Sequence, residues 1–261
     1  MARPLAGALA RVARAELHLG SLNKAIGRWA DKQRASFPMD HNDEGTEFRY
    51  FIAWKPVPNV TRWALLVGEC VHNLRSALDH AVYECSGPDA PDGCQFPVFR
   101  DDSYLSLPER AKRGYLYKVR GIKDDRVRAI IQTAQPWNRK ERPELHPLWV
   151  LHRLDIQDKH RLLTPVASVP RNLRMNVRAE FFDDANHAVH ASGPEWIPFE
   201  RKAEVLTVRT SQPARKVYVN LDGQYGIGLA VEGLDLGLQS TLNKLSQYTR
   251  RLLEEIRDAL V

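Results

Sequence analysis

The chain has 261 residues, 43% of them hydrophobic and 27% charged, with a net charge of +6. Those proportions belong to a folded globular chain and exclude a mostly disordered one. No apolar run approaches the roughly 18 residues of a membrane helix, so no membrane partner is expected.

At the start of the chain, Arg11, Arg14, Glu16 and His18 interrupt any apolar h-region, which points to a cytoplasmic protein without a secretory signal. Three cysteines, Cys70, Cys85 and Cys94, lack a CxxC spacing and read as ordinary thiols of a reducing compartment. The densest positive stretch holds Arg110, Lys112, Arg113, Lys118, Arg120 and Lys123, with Tyr115 and Tyr117 between them. It suits either a phosphate backbone with stacked bases or a solvated basic loop.

Residues 4 to 35 predict an amphipathic helix, with Leu5, Leu9, Val12, Leu19, Leu22, Ile26 and Trp29 on one stripe and a break at Gly20-Ser21. Residues 46 to 54 predict an aromatic-rich strand closed by Lys55-Pro56-Val57-Pro58. A long helix over 61 to 85 follows, capped by Asn59 or Thr61 and ended by Ser86-Gly87-Pro88. Residues 86 to 124 read as loop. A short helix then runs from Asp124 or Asp125 to about Ala134, and Pro147 opens another that reaches about His160.

Beyond Leu163 the pattern changes to strands. Asn172 to Phe181 alternates, with Leu173, Met175, Val177, Ala179 and Phe181 on one face. Further strands are expected at 203–209, 216–221 and 225–231, the last two joined as a hairpin across Asp222-Gly223, with Gly226 and Gly228 beside it. A final helix from about 236 to 260 carries Leu238, Leu242, Leu245, Leu252, Ile256 and Leu260 as its seam. The expected class is α+β, a helical bundle with an inserted antiparallel β-sheet and a C-terminal helix. It is expected as a single domain over 1–261, the alternative being a helical part to 162 and a sheet part with the last helix from 163.

The helix over 61–85 carries the chemistry-bearing residues. On a wheel, Val67, Val71, Leu74, Leu78, Ala81 and Cys85 share one face, while Glu69, His72, Asn73, Ser76, Asp79, His80 and Tyr83 gather opposite, with Arg75 at their border. A plain surface face would hold Lys, Glu and Gln; these types have poorer helix propensity but offer donors, acceptors and proton-transfer groups. A second stretch, 148–163, places His152, Asp155, Lys159 and His160 near one face, with Asp158 and Arg161 beside them. Two such helices can share a cleft. Alternatively, Lys159, His160 and Arg161 simply complement a helix C-terminus.

Arg75-Ser-Ala-Leu-Asp-His80 is an Arg-x4-His spacing. It resembles the signature of the HEPN superfamily, helical proteins that include many bacterial toxin and phage-defence ribonucleases. The resemblance implies a metal-independent endoribonuclease without a cofactor, acting on RNA and assembled as a homodimer whose two motif copies meet in one cleft. It implies a catalytic Arg75 and His80, with Asn73, Ser76 and Tyr83 orienting phosphate or ring. A histidine can move a proton near neutral pH, and an arginine fork can hold the charge of a phosphorane-like transition state. Family members often have Asn, Asp or His directly after the Arg and a Tyr two residues after the His; here those features are Ser76 and Tyr83, three after His80. The resemblance covers about ten residues. HNLRSALDH followed downstream by DKHR is also similar to a group of bacterial proteins, a likeness that implies no activity.

Two other readings stand beside it. Glu69-x-x-His72 is a metal-binding step on one helical face, and with His80 it can begin a His/carboxylate metal site in the bundle, though no second copy completes a di-iron set. Or the polar faces lock helices together, and the protein is a non-catalytic interaction module. Phosphate loops, dinucleotide fingerprints, HExxH and nucleophile elbows are missing from the sequence.

Overall fold

A computed structural model describes residues 4–88, 90–168, 174–183, 185, 187–194, 196–222, 226–231 and 234–261. Among these residues the fold is α+β, with six α-helices and antiparallel strands. The chain groups into two compact units. Unit 1 is Met1–Asn23, Ala64–Leu163 and Ser240–Val261; unit 2 is Lys24–Trp63 and Thr164–Gln239. The last helix therefore returns to the first ones, and the strands are inserted between them.

Unit 1 takes most of α1 (Ala6–Lys32), α2 (Val60–Ser86) and α6 (Leu238–Ala259), with the whole of α3 (Tyr115–Val119), α4 (Asp125–Thr133) and α5 (Pro147–His160). Along α1 and the residue before it, Leu5, Val12, Leu19, Leu22 and Ile26 of the expected stripe are buried, and Ala8 and Ala15 join them, while Leu9 is only half-buried. The expected break at Gly20-Ser21 does not occur. Ser21 turns its hydroxyl onto the carbonyl of Leu17 (2.9 Å), and the helix continues. Asn59 caps α2 through its side-chain oxygen, which accepts from the Arg62 amide (2.9 Å). Asp124 caps α4, and His146 caps α5 ahead of Pro147. The α6 seam buries Leu238, Leu242, Leu245, Leu252 and Ile256, and Arg250 forks onto Glu16 of α1 at 3.1 and 2.7 Å. Inside the segment read as loop lies α3, whose five residues are too few to show a helical period.

Among the described residues, unit 2 holds three antiparallel sheets. The first joins β1 (Arg34–Ser36), β3 (Glu47–Lys55), β8 (Ala203–Thr210) and β6 (Val189–Ser192) in that order, with β2 (Met39–His41) also on β3. The second runs β11 (Leu234–Gly237), β10 (Gly226–Val231), β4 (Pro165–Ser168), β7 (Trp196–Ile197). The third pairs β5 (Arg174–Phe181) with β9 (Ala214–Asp222). The strand expected from Asn172 thus begins at Arg174 among the described residues; Asn172, Leu173 and the turn residue Gly223 lie outside them.

The expected hairpin between 216–221 and 225–231 is corrected by the pairing. β9 pairs with β5, whereas β10 pairs with β4 and β11. The physical reason is the match of faces. Val177 stands opposite Val219 and Ala179 opposite Val217, so β9 meets a strand with the same apolar alternation.

Candidate functional site

The predicted polar face of α2 divides into an inner and an outer group. Arg75 belongs to the inner one: only 8% of it is exposed. One guanidinium nitrogen, Nη2, donates to Asp79 Oδ1 (2.8 Å) and to the Phe96 carbonyl (2.7 Å). The same Asp79 oxygen accepts the Phe96 amide (2.9 Å), so segment 94–99 is clamped on α2 by one ion pair that satisfies both backbone groups of Phe96. The other terminal nitrogen, Nη1, is buried and has no partner among the described residues. Burial pushes the Asp79 carboxyl above its ordinary range, while Arg75 beside it pulls the other way.

Helix α5 supplies the rest of the inner group. Asp155, 3% exposed, accepts from Lys159 one turn on (2.6 Å), and His72 of α2 stands 4.0 Å from its other oxygen. His152 is half-buried, and its Nδ1 has no partner among the described residues. Burial, with Arg75 adding to it, pushes the His152 imidazole down to about 4, so it is neutral at pH 7. Asp158 packs on Gly68, where an added Cβ would fall 2.6 Å from both carboxylate oxygens. A side chain at position 68 would force the Asp158 carboxylate to shift. Burial raises the Asp158 carboxyl, and Asp155 raises it further.

The outer group faces solvent. Tyr83 is exposed and Ser76 and His80 are half-exposed; His72, beside Asp155, is exposed as well. Ser76, His80 and Tyr83 make no hydrogen bond or ion pair among the described residues, so the fold uses none of their polar atoms. Asn73, expected on this face, is instead buried and spends its amide on the Glu69 carbonyl of its own helix (2.7 Å). Glu69 stands 3.9 Å from His18 of α1. His160 and Arg161 are exposed at the α5 C-terminus, where their charge suits the helix dipole.

Structure thus brings together Arg75, Asp79, His72, His152, Asp155, Asp158 and Lys159, and leaves His80, Ser76 and Tyr83 on the open side. Among the described residues, no group of three or more His, Cys, Asp or Glu side chains is arranged to hold a metal ion, and Glu69, His72 and His80 form no such group. Sequence reasoning missed Lys118 as a member of this centre. Its backbone carbonyl accepts from Gln95 (3.2 Å), next to the clamped Phe96, and the residue is half-buried. Burial pushes its amine below the usual range, and Arg75 lowers it further. The sequence signal was present only as one charge in a basic stretch. Unit 2 contains a cavity of about 680 Å³ lined by Trp29, Phe37, Ile52, Trp54 and Phe199 among others; no charged side chain lines it. No family model, curated protein or solved structure matches the chain.

Proposed function

We propose that unit 1 is a metal-independent ribonuclease of the HEPN-like kind, acting through the open side of α2. His80 transfers the proton. Ser76 and Tyr83 flank it and orient the phosphate or the ring. Arg75 supplies the cation that stabilises the transition state. The observation that carries the reading is a pair of unspent groups on one helix: a half-exposed His80 with no partner, and, five residues before it, a buried Arg75 with one guanidinium nitrogen unpaired. A helix turns about 100° per residue, so positions five apart diverge by roughly 140°. The resemblance implies that two motif copies meet in a dimer, so the reading includes a homodimer and requires Arg75 to come clear of segment 94–99 to reach the phosphate that His80 faces. RNA is the substrate, and no cofactor is required.

The purified protein is expected to cut single-stranded RNA in EDTA and to sediment as a dimer. Failure to cut any of a varied set of RNAs, tRNA included, would remove the reading.

A further inference from the structure

Unit 2 takes no part in the proposed cleavage, yet it holds the cavity of about 680 Å³. A packed interior leaves few voids larger than a water molecule, whereas small-molecule sites span roughly 300–1,000 Å³. The wall is built from rings. Trp29 near the end of α1, Trp54 on β3 and Phe199 line it, and Trp63, outside the lining, packs against Trp29 and Phe199; the ring centroids of these contacts are 5.3–5.7 Å apart. The Trp29 indole N–H donates to the Pro56 carbonyl (2.8 Å), which fixes its ring. Trp54, Trp63 and Phe199 are buried, so this wall is ordered before anything binds. Phe37 also lines the cavity, with 55% of its surface exposed.

The wall leaves polar groups unspent. Gln33 lines the cavity half-buried, and its side-chain amide makes no hydrogen bond among the described residues. Trp54 is 6% exposed, and its Nε1 is buried with no partner among the described residues. Native folds seldom leave such groups unanswered. No charged side chain among the described residues lines the cavity, and Ala30 reaches it from the last turn of α1, a terminus of partial negative charge. An anion would enter against that dipole and without a counter-ion.

We infer that this cavity binds an uncharged aromatic small molecule with an amide-like edge. Its rings pack against Trp29, Trp54, Phe199 and Phe37, and the Gln33 amide both donates to the edge and accepts from it. The inference rests on unit 2 alone, so neither success nor failure of RNA cleavage bears on it.

The test is titration of the full chain with N-phenyl-1-naphthylamine, an uncharged fluorescent probe, followed by energy transfer from tryptophan. Saturable binding is expected. Ala35→Phe puts a ring into the cavity from β1 and is expected to weaken the probe about tenfold or more; Phe37→Ala removes the exposed ring and is expected to weaken it about threefold or more. Phe37→Ala changes an exposed side chain and should keep the wild-type melting temperature, so it decides the matter if Ala35→Phe fails to fold. Quinolin-2-one and naphthalene, molecules of the same shape, then compete with the probe. Gln33→Leu is expected to weaken quinolin-2-one about tenfold, as the loss of a hydrogen bond does, and to leave naphthalene unchanged or tighter. No saturable binding, or an affinity unchanged in the ring variants, overturns the site. Equal changes for the two competitors overturn the amide-like edge. Probe affinity that falls as the chain concentration rises gives the cavity to a second copy and overturns the small-molecule reading.

Discussion

Replacing Asp79 with alanine strands two groups at once. Arg75, whose side chain is 9% exposed, loses its counter-ion, and the Phe96 amide loses its acceptor. Removing one partner of a fully buried pair costs about 3–5 kcal/mol, whereas an exposed pair is worth about 0–1 kcal/mol. The Asp79 side chain keeps 35% of its surface in water, so solvent screens part of the interaction. The orphaned Phe96 amide adds about 1–2 kcal/mol. Together these give a loss of about 2–4 kcal/mol for Asp79→Ala. For a chain of this size that lowers the melting temperature by roughly 5–15 °C. Asp79→Asn keeps one acceptor oxygen and is expected to fall between. The assay is urea unfolding followed by far-ultraviolet circular dichroism, with melting by scanning fluorimetry alongside. A double variant, Arg75→Met with Asp79→Leu, removes both charges and is expected to recover part of the loss. If Asp79→Ala costs under about 1 kcal/mol, as an exposed pair would, the clamp on segment 94–99 does not exist as described.

Other outcomes follow from the same geometry. Gly68→Ala drives a Cβ into the Asp158 carboxylate and is expected to cost about 1–3 kcal/mol; pairing it with Asp158→Ala should recover much of that in a thermal melt. His72→Ala and His80→Ala change exposed or half-exposed side chains that the fold barely uses, so each should melt within about 1 °C of wild type; a loss of several degrees in both would favour a helix lock. His152 has a folded pKa of about 4 against an ordinary 6.5. Its protonation therefore favours the unfolded chain, and the stability it contributes is present near pH 7 and lost as pH falls from about 6.5 towards 4. His152→Asn should make the acid limb of a stability–pH curve shallower over that window; an unchanged limb would contradict the buried neutral imidazole.

Helices and long strands were legible because their periods are long enough to read. The α1 stripe, the Asn59 cap, Pro147 at the start of α5 and the α6 seam all carry local signals that the structure keeps. The short strands β1, β2, β4, β6, β7 and β11 have two to four residues each, too few for an alternation to register. The partner of β9 was misread because a turn signal is local, whereas the face that complements Val217 and Val219 lies some forty residues earlier, in β5. On α2, the wheel sets Arg75 at the border of the polar group, whereas the structure buries it. Segment 94–99 covers that side of α2, and nothing within the helix announces it. Asn73 was misplaced for the converse reason: its amide turns back onto its own backbone. Gly68 and Lys118 needed the tertiary structure, since each matters only through what another element brings beside it.

The proposed chemistry places proton transfer at His80, on the open side of α2. The most direct measurement is the rate of single-stranded RNA cleavage in EDTA by wild type and His80→Ala, with the melting temperature of both recorded. Cleavage by wild type and a fall of about 10²–10⁴-fold in the variant, at an unchanged melting temperature, is the expected result. Cleavage that survives the substitution, or none by wild type, would contradict it.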